Sequence, residues 1–263
     1  MTASVLGALL LAGCAERIAV PPGTPPAMTS KAWESLISDA VDERGLVDYA
    51  LIERERDVLE SWLAWASTNG PLADEWQEVS ENKRLAFMIN AYNASVVYAV
   101  IAKQPKESMQ EIQVGIWRRP GAAFAHGLEF RIDSAWRTLD KLRNELTIIR
   151  YQEPRGHFAM TLAARGGPVL RFLPDSGVDK TLGETTRAFV RSDRALRPTA
   201  DGWAASDLFF RARKDLLEWG NVGTLCEWFV SYTDEGDAHR WMVDHARDCP
   251  LESFPMDWSL DRQ

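Results

Sequence analysis

The sequence predicts an α+β fold, a helix-rich single domain with a small mixed or antiparallel sheet. Apolar residues recur at helical spacing in several separate stretches. One stretch, Leu85 to Ile101, runs seventeen positions without a charged residue. Short apolar runs bounded by Gly, Pro and Asp supply the strand and hairpin signals. The 263 residues, 46% hydrophobic and 26% charged, have a globular composition. A formal net charge of -8 argues against a nucleic-acid or anionic-lipid surface, which would need clustered Lys and Arg.

The chain begins MTASVLGALLLAGCAE, an apolar run from Val5 to Leu11 closed by Leu11-Ala12-Gly13-Cys14. This resembles a bacterial lipoprotein signal with its lipobox cysteine, although no Lys or Arg precedes the run. The resemblance implies a signal peptide over residues 1–13, acylation of Cys14, and attachment to a membrane on the periplasmic face of the cell envelope. Ala15, rather than Asp, after the cysteine implies sorting to the outer membrane. Residues 14–29, including VPPGTPPAMT, are expected to form a Pro-rich tether, and residues 30–263 the globular domain.

Within the domain, Ser30 is placed to cap a helix carrying Trp33, Leu36, Ile37, Ala40 and Val41, with Gly45 to end it. A second amphipathic helix follows LVDY and stops at Asn69-Gly70-Pro71. The charge-free stretch then predicts a central helix covered on nearly every face. Its Asn90, Asn93 and Ser95 argue against a membrane span. A hairpin or two short strands are expected between Gln113 and Ile132, then a helix capped by Asp133 that turns Trp136, Leu139 and Leu142 inward. HFAMTLA reads as a buried strand opened by His157. Downstream come a helix over KTLGETTRAFV, a hairpin at Asp201-Gly202, a helix from Ser206 to Gly220, one opened by Thr224 and Glu227 as a capping box, and a last helix around DAHRWMVDHA.

GLVDY, KRLAFMINAYNA, PRGHFAM, PVLR, SDLFFRARKDL and MDWSLD, in that order, resemble the family called domain of unknown function 547. In that family the strand after the histidine carries a cysteine and the next turn reads Ser-Cys-Pro. Here those positions hold Leu162 and Gly167. The family's Glu-His pair, on a helix before the strand, corresponds to Trp136 and Arg137. The resemblance therefore implies a site that has lost its thiols and its acid, with His157, Asn90, Asn93, Pro168 and Arg171 remaining.

His157 has the chemistry of a general base, but no local cysteine or Gly-x-Ser-x-Gly elbow supplies a nucleophile, and Thr161 is the nearest hydroxyl. The rival role for His157 is a buried, hydrogen-bonded structural histidine. Asn90 and Asn93 either pin a backbone loop, with Ala164 to Pro168 as the candidate, or line a pocket. Arg165-Gly166-Gly167 with Arg171 forms either an anion nest or a tight turn. Cys226 and Cys249 are a candidate disulfide in an oxidising compartment. His245 and Cys249, four apart, do not close a metal site. Trp65 would mark a docking surface if exposed.

No cofactor or metal is expected. The expected partners are a membrane, through lipidated Cys14, and an unidentified protein or small molecule. Two functional readings follow: a lipid-anchored, non-catalytic binding or structural module with a degenerate family site, and a hydrolase or transferase using His157 as general base. A carboxylate or hydroxyl beside His157, with the ring facing an open cleft, favours the second; His157 sealed under Leu162 and Trp136 favours the first.

Overall fold

The computed structural model describes residues 15–21 and 30–263. Cys14, the signal-like segment and residues 22–29 of the expected tether lie outside the described residues. The described chain is α+β, as expected. Strand β1 (Glu16–Arg17) is followed by helices α1 (Ser30–Ala40), α2 (Tyr49–Arg54), α3 (Arg56–Ala66) and the long α4 (Glu81–Lys103). Then come β2 (Leu128–Ile132), β3 (Ala135–Thr138), a π-helix over Lys141–Ile149, and the single turn α5 (Gly156–Ala159). Helix α6 (Val178–Val190), β4 (Leu196–Pro198), β5 (Trp203–Ser206), α7 (Asp207–Arg211), α8 (Arg213–Gly220), α9 (Leu225–Val230), α10 (Asp237–Asp244) and β6 (Glu252–Phe254) complete the order.

Helix α4 is the axis of the first of two apolar clusters. Every residue from Leu85 to Ile101 is buried in protein, so a helix apolar on all sides is here a core helix. It ends where Gln104 takes a left-handed conformation (φ 45°) and returns its N–H to the Val100 carbonyl. The second cluster is aromatic. Phe158 lies 5.0 Å from Phe209, 5.2 Å from Trp228 and 5.5 Å from Phe189 between ring centres. Trp65 does not stand free: it packs edge-on against Phe87 and Trp62.

Both three-stranded sheets are mixed. In one, β1 pairs parallel with β2, and β2 antiparallel with β3. In the other, β4 pairs antiparallel with β5, across the expected Asp201-Gly202 turn, and β5 parallel with β6.

Several expectations are corrected. Residues 16–18 are no spacer: they join the sheet, Ile18 is buried, and its N–H reaches the Glu129 carbonyl at 2.9 Å. The second amphipathic segment is two helices broken at Glu55, and the helix from Ser206 to Gly220 is likewise α7 and α8. Asp133 caps no helix. Asp133 and Ser134 both have positive φ (51° and 64°), which makes them the tight turn between β2 and β3 and puts Trp136 and Arg137 on a strand. Asp133 is held there because its carboxylate accepts the Leu72 N–H at 2.7 Å. HFAMTLA is not a ladder strand either: His157 lies in α5, and the residues after it bond to side chains of α4. A seven-residue apolar run looks the same in both structures, and only its partners decide.

Candidate functional site

Pro154, Arg155 and Gly156 turn the chain into α5, which carries His157 inward; the residue is 4% exposed. Two distant side chains close on its ring. Arg143, from the π-helix, approaches Nδ1 at 3.1 Å, and Asp215, from α8, approaches Nε2 at 2.9 Å. A guanidinium can only donate, so Nδ1 is the acceptor and the ring proton resides on Nε2, which donates to the Asp215 carboxylate. Both ring nitrogens are then committed. Burial, aided by the Arg143 charge, pulls the imidazole pKa below its usual value, against the opposing pull of Asp215. No hydroxyl or thiol hydrogen-bonds to the ring among the described residues. The nearest candidate by sequence, Thr161, spends its Oγ1 on the N–H of Ala163.

Asn90 and Asn93, one turn apart on α4, work on backbone. The Asn90 amide donates to the Leu173 carbonyl at 2.7 Å and accepts the Leu173 N–H at 2.9 Å, as a neighbouring strand would. Asn93 donates to the carbonyls of Ala159 (3.0 Å) and Arg171 (3.2 Å) and accepts the N–H of Thr161 (2.9 Å). The two side chains clamp the ends of the segment 159–173 rather than its Ala164–Pro168 middle.

The middle is held by the C-terminal tail. Arg165 and Gly166 donate their N–H groups to the carbonyls of Ser259 and Asp257, and Gly167 donates to Ala164, so this backbone has no donors left for an anion nest. Gly166 is required by proximity: a Cβ there would lie 2.5 Å from the Asp257 nitrogen. The Arg165 guanidinium donates to the carbonyls of Leu260 and Arg262. Further along the tail, Asp261 is buried and accepts the Tyr49 hydroxyl at 2.7 Å. Burial raises its carboxyl pKa to about 6, in spite of the Tyr49 bond and the nearby Arg194 and Arg165.

An open cleft of about 540 Å³ lies between α1 with its 42–45 turn, segment 169–172, and α6. Its lining includes Glu34, Arg44, Arg171, Thr181, Phe172 and Phe189. Arg171 is exposed there and forms no ion pair among the described residues. Of the residues picked out from sequence, only Arg171 lines this cleft; Asn90, Asn93, Arg165, Pro168 and His157 do not. Gly45 shapes its rim in a left-handed turn (φ 73°), where a Cβ would strike Val169.

The sulfurs of Cys226 and Cys249 form a disulfide, with Cα atoms 5.5 Å apart, so Cys249 is no ligand partner for His245. The ring of His245 turns instead to the Trp241 carbonyl, 2.9 Å from Nδ1. Trp136 and Arg137 do not reach His157's ring nitrogens: the guanidinium of Arg17 stands over Trp136, and Arg137 donates to the Ile132 carbonyl. The side chains that do reach the ring, Arg143 and Asp215, escaped sequence reading. Asp215 sits within SDLFFRARKDL as one more charge on an amphipathic helix, and nothing in its spacing from His157 announces the pair.

A family model described as a protein of unknown function, DUF547, matches residues 76–190. That span contains α4, the π-helix, His157 and α6; Asp215 and the tail lie beyond it. No curated protein and no solved structure matches the chain.

Proposed function

We propose that this chain, which over residues 76–190 belongs to the domain of unknown function 547 family, is a lipid-anchored cell-envelope protein that works as a binding or structural module and performs no chemistry at His157. One observation carries the reading: the His157 ring has no free lone pair. A general base must offer an unprotonated nitrogen to a substrate proton, and here Nδ1 is occupied by Arg143 while Nε2 holds the proton given to Asp215. The positions corresponding to the family's cysteines are Leu162, which is buried, and Gly167, which has no side chain. The cleft between α1 and α6 is the binding surface, and Arg171, which forms no ion pair among the described residues, is one of the charges that line it.

The envelope location is supported by the lipobox-like Leu11-Ala12-Gly13-Cys14 and by the disulfide, a bond that persists in oxidising compartments. Palmitate labelling of the wild type and of Cys14→Ala tests the anchor: label on the wild type alone is expected, and equal labelling of both contradicts it.

A second reading rests on the His157–Asp215 contact, since a carboxylate orienting an imidazole is half of a nucleophilic triad. The two readings separate experimentally. An acyl-type electrophilic probe that labels the protein, and stops doing so in His157→Gln, supports the enzyme. The module predicts no His157-dependent labelling, together with a loss of stability in the same variant.

A further inference from the structure

Beyond the anchor itself, we infer that the turn Val114–Trp117, with Arg118 and Arg119, is a phospholipid-contacting surface that seats the domain directly on the bilayer to which Cys14 would attach it. The inference rests on the anchoring proposed above.

Reach comes first. A fully extended chain covers at most about 3.5 Å per residue, so a lipid on Cys14 can lie no more than ~7 Å from Glu16 along the chain. Glu16 is no part of a flexible spacer. It is the register partner of Leu128 in the β1–β2 pair, Lys103 holds its carboxylate at 2.5 Å, and the Ile18 behind it is buried. A domain held so close to its acyl chains rests on the membrane, and the surface at this end of the sheet meets the headgroups.

The Val114–Trp117 turn lies at that end. Gly127 immediately precedes Leu128, and the Trp117 ring packs on it, with Cδ1 3.2 Å from where a Cβ would stand. The Trp117 and His126 rings are 5.3 Å apart. The turn is closed by the Trp117 N–H on the Val114 carbonyl at 2.8 Å and has Gly115 in a left-handed conformation (φ 52°). Its tip is Ile116, 68% exposed, next to the partly buried Trp117 and the exposed Arg118 and Arg119. Neither arginine forms an ion pair among the described residues. An exposed aliphatic tip beside two cations without ion pairs among the described residues is the composition of an interfacial contact: Ile116 enters the headgroup region and the guanidinium groups meet lipid phosphate, while the Trp117 indole, packed on the core with its Nε1 buried, braces the turn from behind.

The net charge of -8 fits this division of labour. It opposes general adsorption to anionic lipid, so attachment falls to the acyl chains, and the turn sets orientation. The cleft between α1 and α6 then takes a fixed attitude to the membrane.

The test uses the chain from Cys14 onward, in which Cys226 and Cys249 are bonded and Cys14 is the single free thiol. Cys14 is coupled to a maleimide-headgroup phospholipid in phosphatidylcholine vesicles containing phosphatidylglycerol, and amide hydrogen exchange is compared with the untethered protein. The expected result is exchange slowed roughly threefold or more over residues 114–121, with Asp237–Asp244 unchanged. Loss of that protection in Ile116→Glu/Arg118→Glu, both exposed positions, is expected as well. Unchanged exchange at 114–121 on the vesicles, or protection that survives the double substitution, overturns the proposal. Because the tether is chemical, a failure of biological acylation appears in palmitate labelling and a failure of the turn contact appears here.

Discussion

Asn93 shows how much one side chain can fix. With two donors and one acceptor used on three backbone groups of the segment 159–173, Asn93→Ala strands the Thr161 N–H and two carbonyls in the interior. Each such buried loss costs about 1–3 kcal/mol, so a total of at least about 3 kcal/mol is expected in urea unfolding; a change within error would show that the clamp carries nothing. Asp261 makes a separate prediction with a defined sign. Its folded pKa, about 6, lies above its unfolded value. The stabilisation is therefore complete below about pH 4 and disappears as pH rises through 6, a swing of about 3 kcal/mol. Asp261→Asn keeps an oxygen for the Tyr49 hydroxyl and removes the titration. The stability of the variant relative to wild type should thus rise between pH 4 and 7, measured by thermal unfolding across that range. A flat difference would mean that Asp261 is solvated. At this scale the sequence was only partly legible. Two asparagines on an apolar helix announce that they must find partners, yet the partners, at Leu173 and around Ala159, depend on how the chain returns.

At the scale of elements, the disulfide joins α9 to the segment after α10. Closing a loop of that length restricts the unfolded chain, so Cys226→Ser/Cys249→Ser should lose about 3 kcal/mol, and reduction of the wild type should reproduce the loss. No change on reduction would mean that the second aromatic cluster holds α9 and α10 unaided. Elements with local signals were readable: α4 from its lack of charge, α6 from its period, the β4–β5 turn from Asp201-Gly202, and the start of α9 from Thr224, whose hydroxyl accepts the Glu227 N–H. Elements decided by distant partners were not. The Asp133-Ser134 turn resembles a helix cap until β3 is seen to pair with β2. HFAMTLA resembles a strand until Asn93 is seen to take its N–H. β1 sits in a segment whose neighbouring prolines point to a spacer, and only the open edge of β2 recruits it.

Across the whole molecule, the parts far apart in sequence converge on the segment 153–173. Helix α4 clamps residues 159–161 and 171–173, the tail binds the stretch between them, and Arg143 and Asp215 enclose the histidine. The same burial that fixes His157 gives the molecule an acid limit. A folded pKa below the unfolded one means that this stabilisation is present above about pH 6.5 and is lost as pH falls through the folded value. That trend runs opposite to the one set by Asp261, so the two variants His157→Gln and Asp261→Asn should tilt the acid limb of the stability profile in opposite directions. The measurement closest to the heart of the account is nitrogen NMR of the His157 ring near neutral pH. Nδ1 should appear as a bare acceptor and Nε2 as protonated, with the ring titrating below 6.5. A ring protonated on Nδ1 with Nε2 free, or one that titrates close to 7, would give His157 the lone pair of a working base and contradict the non-catalytic reading.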